Sequence, residues 1–228
     1  MDPAPHWRGH LLLFDAKSRA AYPARAGLLL IVSFLLLEAL IGPRFHLLTV
    51  LGVAQPEAWV RVPVLLALAM LLVRFVARLP LSAIGLIAWR EWSATEKSYF
   101  VQVIVIANIV FALLLRGHDA RLAGAAAAVA VATNFLWGFY QEFVYRGILQ
   151  TEITRRFGAV AGVLGANLAF TFGPLHYYHF AASPAPIAMF AGIFAIGLYF
   201  GVLRHGSGNL WMPAVFHGIG SAWILGVA

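Results

Sequence analysis

Glu142 and Arg146 stand four residues apart inside the stretch 134–158, NFLWGFYQEFVYRGILQTEITRRFG, where most side chains around them are large and apolar or aromatic. On a helix that spacing puts both on one face. If the stretch lies in a membrane, an acid there costs about 2.5 to 3.5 kcal/mol, so a chain that keeps one generally has a use for it. His176 falls in a second apolar stretch, FTFGPLHYYHF, four residues after Phe172, with Gly173 and Pro174 loosening the backbone just before it. His217 and Ser221, again four apart, share a face in the last apolar stretch.

A carboxylate beside an imidazole can take a proton from water, and a second histidine with a hydroxyl or an amide can stabilise the oxyanion formed on an attacked carbonyl. That is the equipment of a peptidase. No serine sits in a GxSxG setting, no HExxH occurs and there is no cysteine, which disfavours a nucleophile-elbow serine enzyme, a zincin and a cysteine nucleophile. Two histidines and a carboxylate could also ligate zinc, the second arrangement these residue types allow; the leading one needs no cofactor. Each residue has a structural alternative as well. A transmembrane histidine often only bonds a neighbouring helix, and a Glu and Arg at this spacing are often a plain ion pair, which suits Arg146. His179, one turn past His176, fits an outer interface as well as a site.

Holding such groups falls to helices in lipid. Of the 228 residues 62% are hydrophobic and only 11% charged, too little polar surface to cover a water-soluble globule of this size. The expected fold is all-α: a polytopic integral membrane bundle of about seven transmembrane helices, with the candidate site on helices four, five and seven. The net charge of +7 is spread through connecting segments rather than gathered in a patch, as topology signals are, so no nucleic-acid partner is read.

Residues 1–25 are polar and basic and read as a cytoplasmic leader without a signal-peptide cleavage site. Residues 26–122 carry spans at 26–41, ended by Gly42-Pro43, at 60–73 with Pro63 in its first turn, and at 99–115. Between the second and third, Arg74, Arg78, Arg90 and Lys97 with Trp89 and Trp92 read as an interfacial helix. Glu38, near the end of the first span, reads as interfacial and solvated, without a role. Residues 123–228 form the core. Its fourth helix opens on GAAAAVAVA, whose small side chains suit close packing at a bundle centre, and runs to Arg155 and Arg156; spans at 159–172, 187–203 and 210–227 follow. Of the 16 Lys and Arg residues, all but Arg44, Arg61, Arg116 and Arg121 fall on the side of the N-terminus, which places that end in the cytoplasm and the C-terminus outside.

If helices four and five form a hairpin turning at Gly158, Glu142 and His176 both stand roughly 25 Å above the turn, and His217 can join them from helix seven. Three polar groups converging on one level favour a site over three separate structural roles.

These residues resemble the CPBP intramembrane peptidases, which include the CAAX prenyl endopeptidases and bacterial relatives linked to bacteriocin processing and immunity. The family pattern is EExxxR, then FxxxH, then HxxxN or HxxxD; here it meets Gln141-Glu142 to Arg146, Phe172 to His176, and His217 to Ser221. Two positions depart from it: Gln141 replaces the first Glu, the usual water-activating base, and Ser221 replaces the last Asn or Asp. A glutamine cannot act as a base, so either Glu142 takes over or hydrolysis is lost; a serine hydroxyl still donates one hydrogen bond. The resemblance implies a metal-free, glutamate-dependent intramembrane endopeptidase of a bacterial-type inner (cell) membrane, cleaving a membrane-anchored protein or peptide. Glu142, His176, His217 and Ser221 would form its catalytic set, with Gln141, Arg146 and Phe172 in support. A non-catalytic relative acting as an immunity, binding or assembly factor is the alternative.

Overall fold

The structure, a computed structural model, describes residues 22–41, 52, 56–114, 124–173, 176 and 183–227. Most of the expected leader, Gly42-Pro43, Arg116, Arg121, Pro174 and His179 lie outside the described residues. Within them the chain is all helical, with no strand: α1 (Ala24–Ile41), α2 (Ala58–Leu71), α3 (Ala94–Leu114), α4 (Gly124–Glu142), α5 (Gln150–Phe157), α6 (Ala159–Phe172), α7 (Pro186–Ser207) and α8 (Trp211–Val227). A π-helical segment, Phe143–Leu149, joins α4 to α5 into one rod. That rod is roughly 50 Å long, well beyond the ~30 Å of hydrocarbon in a bilayer, so the polar α5 projects from the apolar layer. The architecture is that of a helical membrane bundle. Four helices, α1, α2 with its π-helical extension to Val76, α3 and α7, have the length and apolarity to cross a membrane, and α6 is a shorter apolar helix.

Hydropathy alone does not say which face of these helices turns inward. In α1 the stripe Leu30, Phe34, Leu37 and Ile41 is buried while Leu28, Val32 and Leu35 are more than half exposed; both faces are apolar because lipid and protein interior make the same demand. The rod α4–π–α5 is the axis of the bundle: every residue from Gly138 to Gln150 is buried, and α1, α2, α6 and α8 pack around it.

Several sequence expectations change at this point. The alanine run that opens α4 is not central, since Ala128, Val129, Val131 and Ala132 are exposed; the close approach comes lower, at glycines. Glu38 is buried rather than solvated. The expected interfacial helix at 74–97 is instead a π-helical end to α2 (Leu72–Val76) followed by two short 3-10 turns, Leu81–Ile84 and Trp89–Glu91. Trp92 is buried there, its indole N–H donating to the Ile87 carbonyl at 3.2 Å. α3 begins earlier than expected because Ser93 and Glu96 form a reciprocal capping box: Ser93 N donates to Glu96 Oε2 at 2.8 Å and Glu96 N to Ser93 Oγ at 3.1 Å. Pro63 falls inside α2, which starts at Ala58, rather than in its first turn.

Candidate active site

The site begins with two glycines. A Cβ on Gly138 would lie 2.8 Å from the backbone of His217 and Gly218, and one on Gly218 would lie 2.8 Å from the Phe135 carbonyl. Only hydrogen fits at both places, so α4 and α8 touch backbone to backbone. One turn below that seam stands Glu142, and beside Gly218 stands His217. The contact therefore sets the two side chains opposite each other.

Glu142 Oε1 and His217 Nδ1 are 2.8 Å apart, with the carboxylate fully buried and the imidazole 16% exposed. An ionised carboxylate only accepts, so Nδ1 carries the hydrogen and Nε2 is left as the basic nitrogen. The ring is steadied by stacking on Phe200 at 5.0 Å. Oε2 of Glu142 faces Arg146 Nε at 3.6 Å without a hydrogen bond, so it keeps room for one donor. Arg146 is itself fully buried. Its NH2 group donates to the Gly197 carbonyl at 2.7 Å and to Asn167 Oδ1 at 3.4 Å, and its guanidinium lies 4.7 Å from the Phe170 ring centre. Asn167 in turn donates to the Phe194 carbonyl at 3.0 Å. Arg146 thus ties the rod to α6 and α7 while balancing the Glu142 charge.

His176 follows the end of α6. Its Nδ1 is 2.7 Å from the Phe170 carbonyl, an acceptor only, so again Nδ1–H donates and Nε2 is the exchangeable nitrogen. The Phe170 ring lies 4.4 Å from the His176 ring and 5.9 Å from the His217 ring. Both imidazoles, from α8 and from the turn after α6, therefore meet at one phenylalanine beside the Glu142–Arg146 pair.

The other sequence candidates divide. Gln141 is buried, and its Oε1 has no hydrogen-bond donor. Ser221 is partly buried, one turn above His217 on α8. Phe172 is not among these groups: it is 55% exposed and packs on Phe190 at 4.7 Å. Two residues apart on a helix diverge by about 200°, so Phe170 takes the inner position and Phe172 the outer. Sequence reasoning missed Phe170, Asn167 and the two seam glycines. The glycines had a signal, since Gly138 precedes Glu142 by one turn and Gly218 follows His217 directly. Among the described residues no three His, Asp or Glu side chains gather in a geometry that could hold a metal ion.

Residues 123–223 match the family model Rce1-like, described as Type II CAAX prenyl endopeptidase Rce1-like. The matched stretch is consistent with a CPBP-type domain. It contains Gln141, Glu142, Arg146, His176, His217 and Ser221, whereas α1 with Glu38 precedes it. The match covers less than half of the chain, and together with the four helices long and apolar enough to cross a membrane it fits a helical membrane protein. No curated protein and no solved structure matches the chain.

Proposed function

We propose that this protein is an intramembrane endopeptidase that hydrolyses a peptide bond of a membrane-anchored protein or peptide with a water activated by Glu142 and His217. The observation that carries this reading is the 2.8 Å contact between a fully buried carboxylate and a partly exposed imidazole. The pair can take the water proton, at His217 Nε2 or at the open Glu142 Oε2, and the buried partner stabilises the imidazolium. His176, assisted by Ser221 or the Gln141 amide, serves the oxyanion on the attacked carbonyl. Arg146 positions Glu142. The distribution of basic residues supports an N-terminus in the cytoplasm and a C-terminus outside; a reporter fused after Ala228 is expected to behave as extracytoplasmic and one inserted between Arg90 and Lys97 as cytoplasmic.

The test uses purified protein in bilayer nanodiscs with a lipid-anchored, internally quenched peptide library. Cleavage is expected to persist in strong chelators and to vanish in His217→Ala. Activity lost on chelation and restored by zinc would replace this reading with a zinc peptidase. A second reading, a binding or immunity factor without hydrolysis, is favoured by Gln141, which offers an amide where the family pattern has a carboxylate. Absence of cleavage in the wild type, with tight retention of one membrane peptide, would establish it.

A further inference from the structure

Glu38 is a buried carboxyl group that the mechanism above leaves unused. Its depth follows from how α1 lies against the rod. Near the start of α1, the Tyr22 hydroxyl donates to Glu152 Oε2 at 2.7 Å, and Gly27 lies against the Glu152 carboxylate. Higher up, Phe34 meets Tyr145 edge to face at 5.5 Å. From Gly27 to Phe34 α1 advances seven residues as the rod retreats seven, so the two run antiparallel in step. One further turn on each brings Glu38 to the level of Gln141. The partners agree with that placement: Glu38 interacts with the hydroxyls of Tyr145 and Tyr140, one on each side of Gln141 in sequence. The Tyr145 hydroxyl approaches the carboxylate without closing a hydrogen bond of ordinary geometry.

The polar groups there have unspent capacity. The hydroxyls of Tyr140 and Tyr145 and the Gln141 Oε1 are all buried without a hydrogen-bond partner, an expensive arrangement in an apolar interior unless something polar enters. The same level reaches the site. The Tyr145 hydroxyl lies 3.3 Å from where a Cβ of Gly173 would stand, and the Gly173 carbonyl accepts the backbone N–H of His176 at 3.2 Å. Tyr145 also packs on Phe170 at 5.2 Å, the ring that both histidines share. Glu38, the Tyr145 hydroxyl and the Gly173 backbone that bonds His176 thus follow one another from α1 toward the histidines.

We propose that Glu38 is a further acid–base residue of this site, supplying through the Tyr145 hydroxyl the proton that the departing amine requires. The inference rests on the peptidase reading. Hydrolysis needs one proton taken from water and one given to nitrogen. As the water oxygen bonds to the carbonyl carbon, its O–H bond breaks and the proton goes to the Glu142–His217 pair. As the C–N bond then breaks, the Tyr145 O–H proton passes to the amine nitrogen and Glu38, starting as the carboxylic acid, reprotonates the phenol. After the products leave, His217 gives its proton to water and Glu38 takes one back from water, so peptide and water become acid and amine with no other reactant consumed.

The leaving group provides the test. Two lipid-anchored probes are compared: a peptide amide, and a p-nitrophenyl ester of the same peptide, whose leaving group departs without a proton. Glu38→Gln and Tyr145→Phe are each expected to lower kcat on the amide on the order of 100-fold, with KM nearly unchanged, and to leave the ester rate within about threefold of wild type. Thermal unfolding of both variants near the wild-type midpoint accompanies that result. If both substrates slow equally, or neither slows, while His217→Ala is inactive, the role of Glu38 is overturned and the peptidase reading stands. If the wild type cleaves neither probe, the peptidase reading falls and this inference with it.

Discussion

Glu142 and His217 come from different helices, 75 positions apart, and meet at 2.8 Å because Gly138 and Gly218 let those helices touch. The pair is therefore only as well placed as the seam above it. His217→Ala removes the partly exposed member and leaves Glu142 facing Arg146. It is expected to cut kcat by roughly 100 to 10,000-fold while shifting the thermal midpoint little. Gly138→Ala attacks the same pair indirectly: its methyl group would meet the α8 backbone at 2.8 Å, so stability should fall by about 1 to 3 kcal/mol and activity with it. Unfolding and turnover measured on both variants separate the two effects. A His217→Ala protein that keeps full turnover would remove the dyad from the mechanism.

Arg146 calls for a different kind of experiment. It is buried, and removing it strands the Glu142 carboxylate, a loss of about 3 to 5 kcal/mol for a buried pair broken on one side. Arg146→Met should therefore unfold at markedly lower temperature. In the double variant Glu142→Gln with Arg146→Met no uncompensated charge remains, and part of the lost stability should return. A double variant as unstable as the sum of the two singles would mean that Arg146 acts through Gly197 and Asn167 rather than through Glu142.

An all-helical chain with long apolar helices could be read from hydropathy because its apolar runs are long, and Glu142, His176 and His217 could be singled out as candidates because ionisable groups are costly in such runs. Which face of each helix turns inward could not be read. α1 is equally apolar all round, so nothing in its pattern distinguishes a solvated Glu38 from a buried one. The same ambiguity exchanged Phe172 for Phe170: both are phenylalanines in one motif, and only the packing of α6 against α7 decides which meets the histidines. The π-helical segment was also hidden. It starts at the residue after Glu142 and changes the spacing of the side chains that follow, a displacement from α-helical register that commonly accompanies functional residues.

Below the apolar layer, Glu152 collects hydrogen bonds from Tyr22 and Arg155 and also pairs with Arg156. Burial pushes its carboxyl up, but the hydrogen bonds of Arg155, Tyr22 and Arg156 outweigh it and hold the group below the usual carboxylate range. A carboxylate whose pKa is lowered on folding stabilises the fold fully above its unfolded value, near 4.3, and loses that contribution as pH falls through the folded value. The thermal midpoint is thus expected to drop as pH falls below about 4.3, and Glu152→Gln should be less stable at neutral pH with a flatter acid limb. An unchanged acid limb in that variant would assign acid unfolding to other groups.

Gln141 carries the sharpest prediction, because the family pattern has a carboxylate there and this chain has an amide. With Glu142 committed to His217, Gln141 shares a helical face with Tyr145 and stands level with Glu38. An amide at that place can orient water or the substrate carbonyl but cannot hold a proton. Gln141→Ala should therefore weaken turnover by about tenfold, the size expected when one hydrogen bond of roughly 1.4 kcal/mol is lost. Exchanging the two side chains, Glu38→Gln with Gln141→Glu, returns one carboxyl group to the same level from the other helix and should recover a measurable part of the activity that Glu38→Gln alone removes. Gln141→Glu in the otherwise unchanged chain puts two acids side by side, so they should share a proton and lower turnover rather than raise it. If instead the wild type cleaves nothing and Gln141→Glu alone creates cleavage, the base was lost at position 141, Glu142 serves the fold through Arg146, and the natural protein binds its membrane peptide without hydrolysing it.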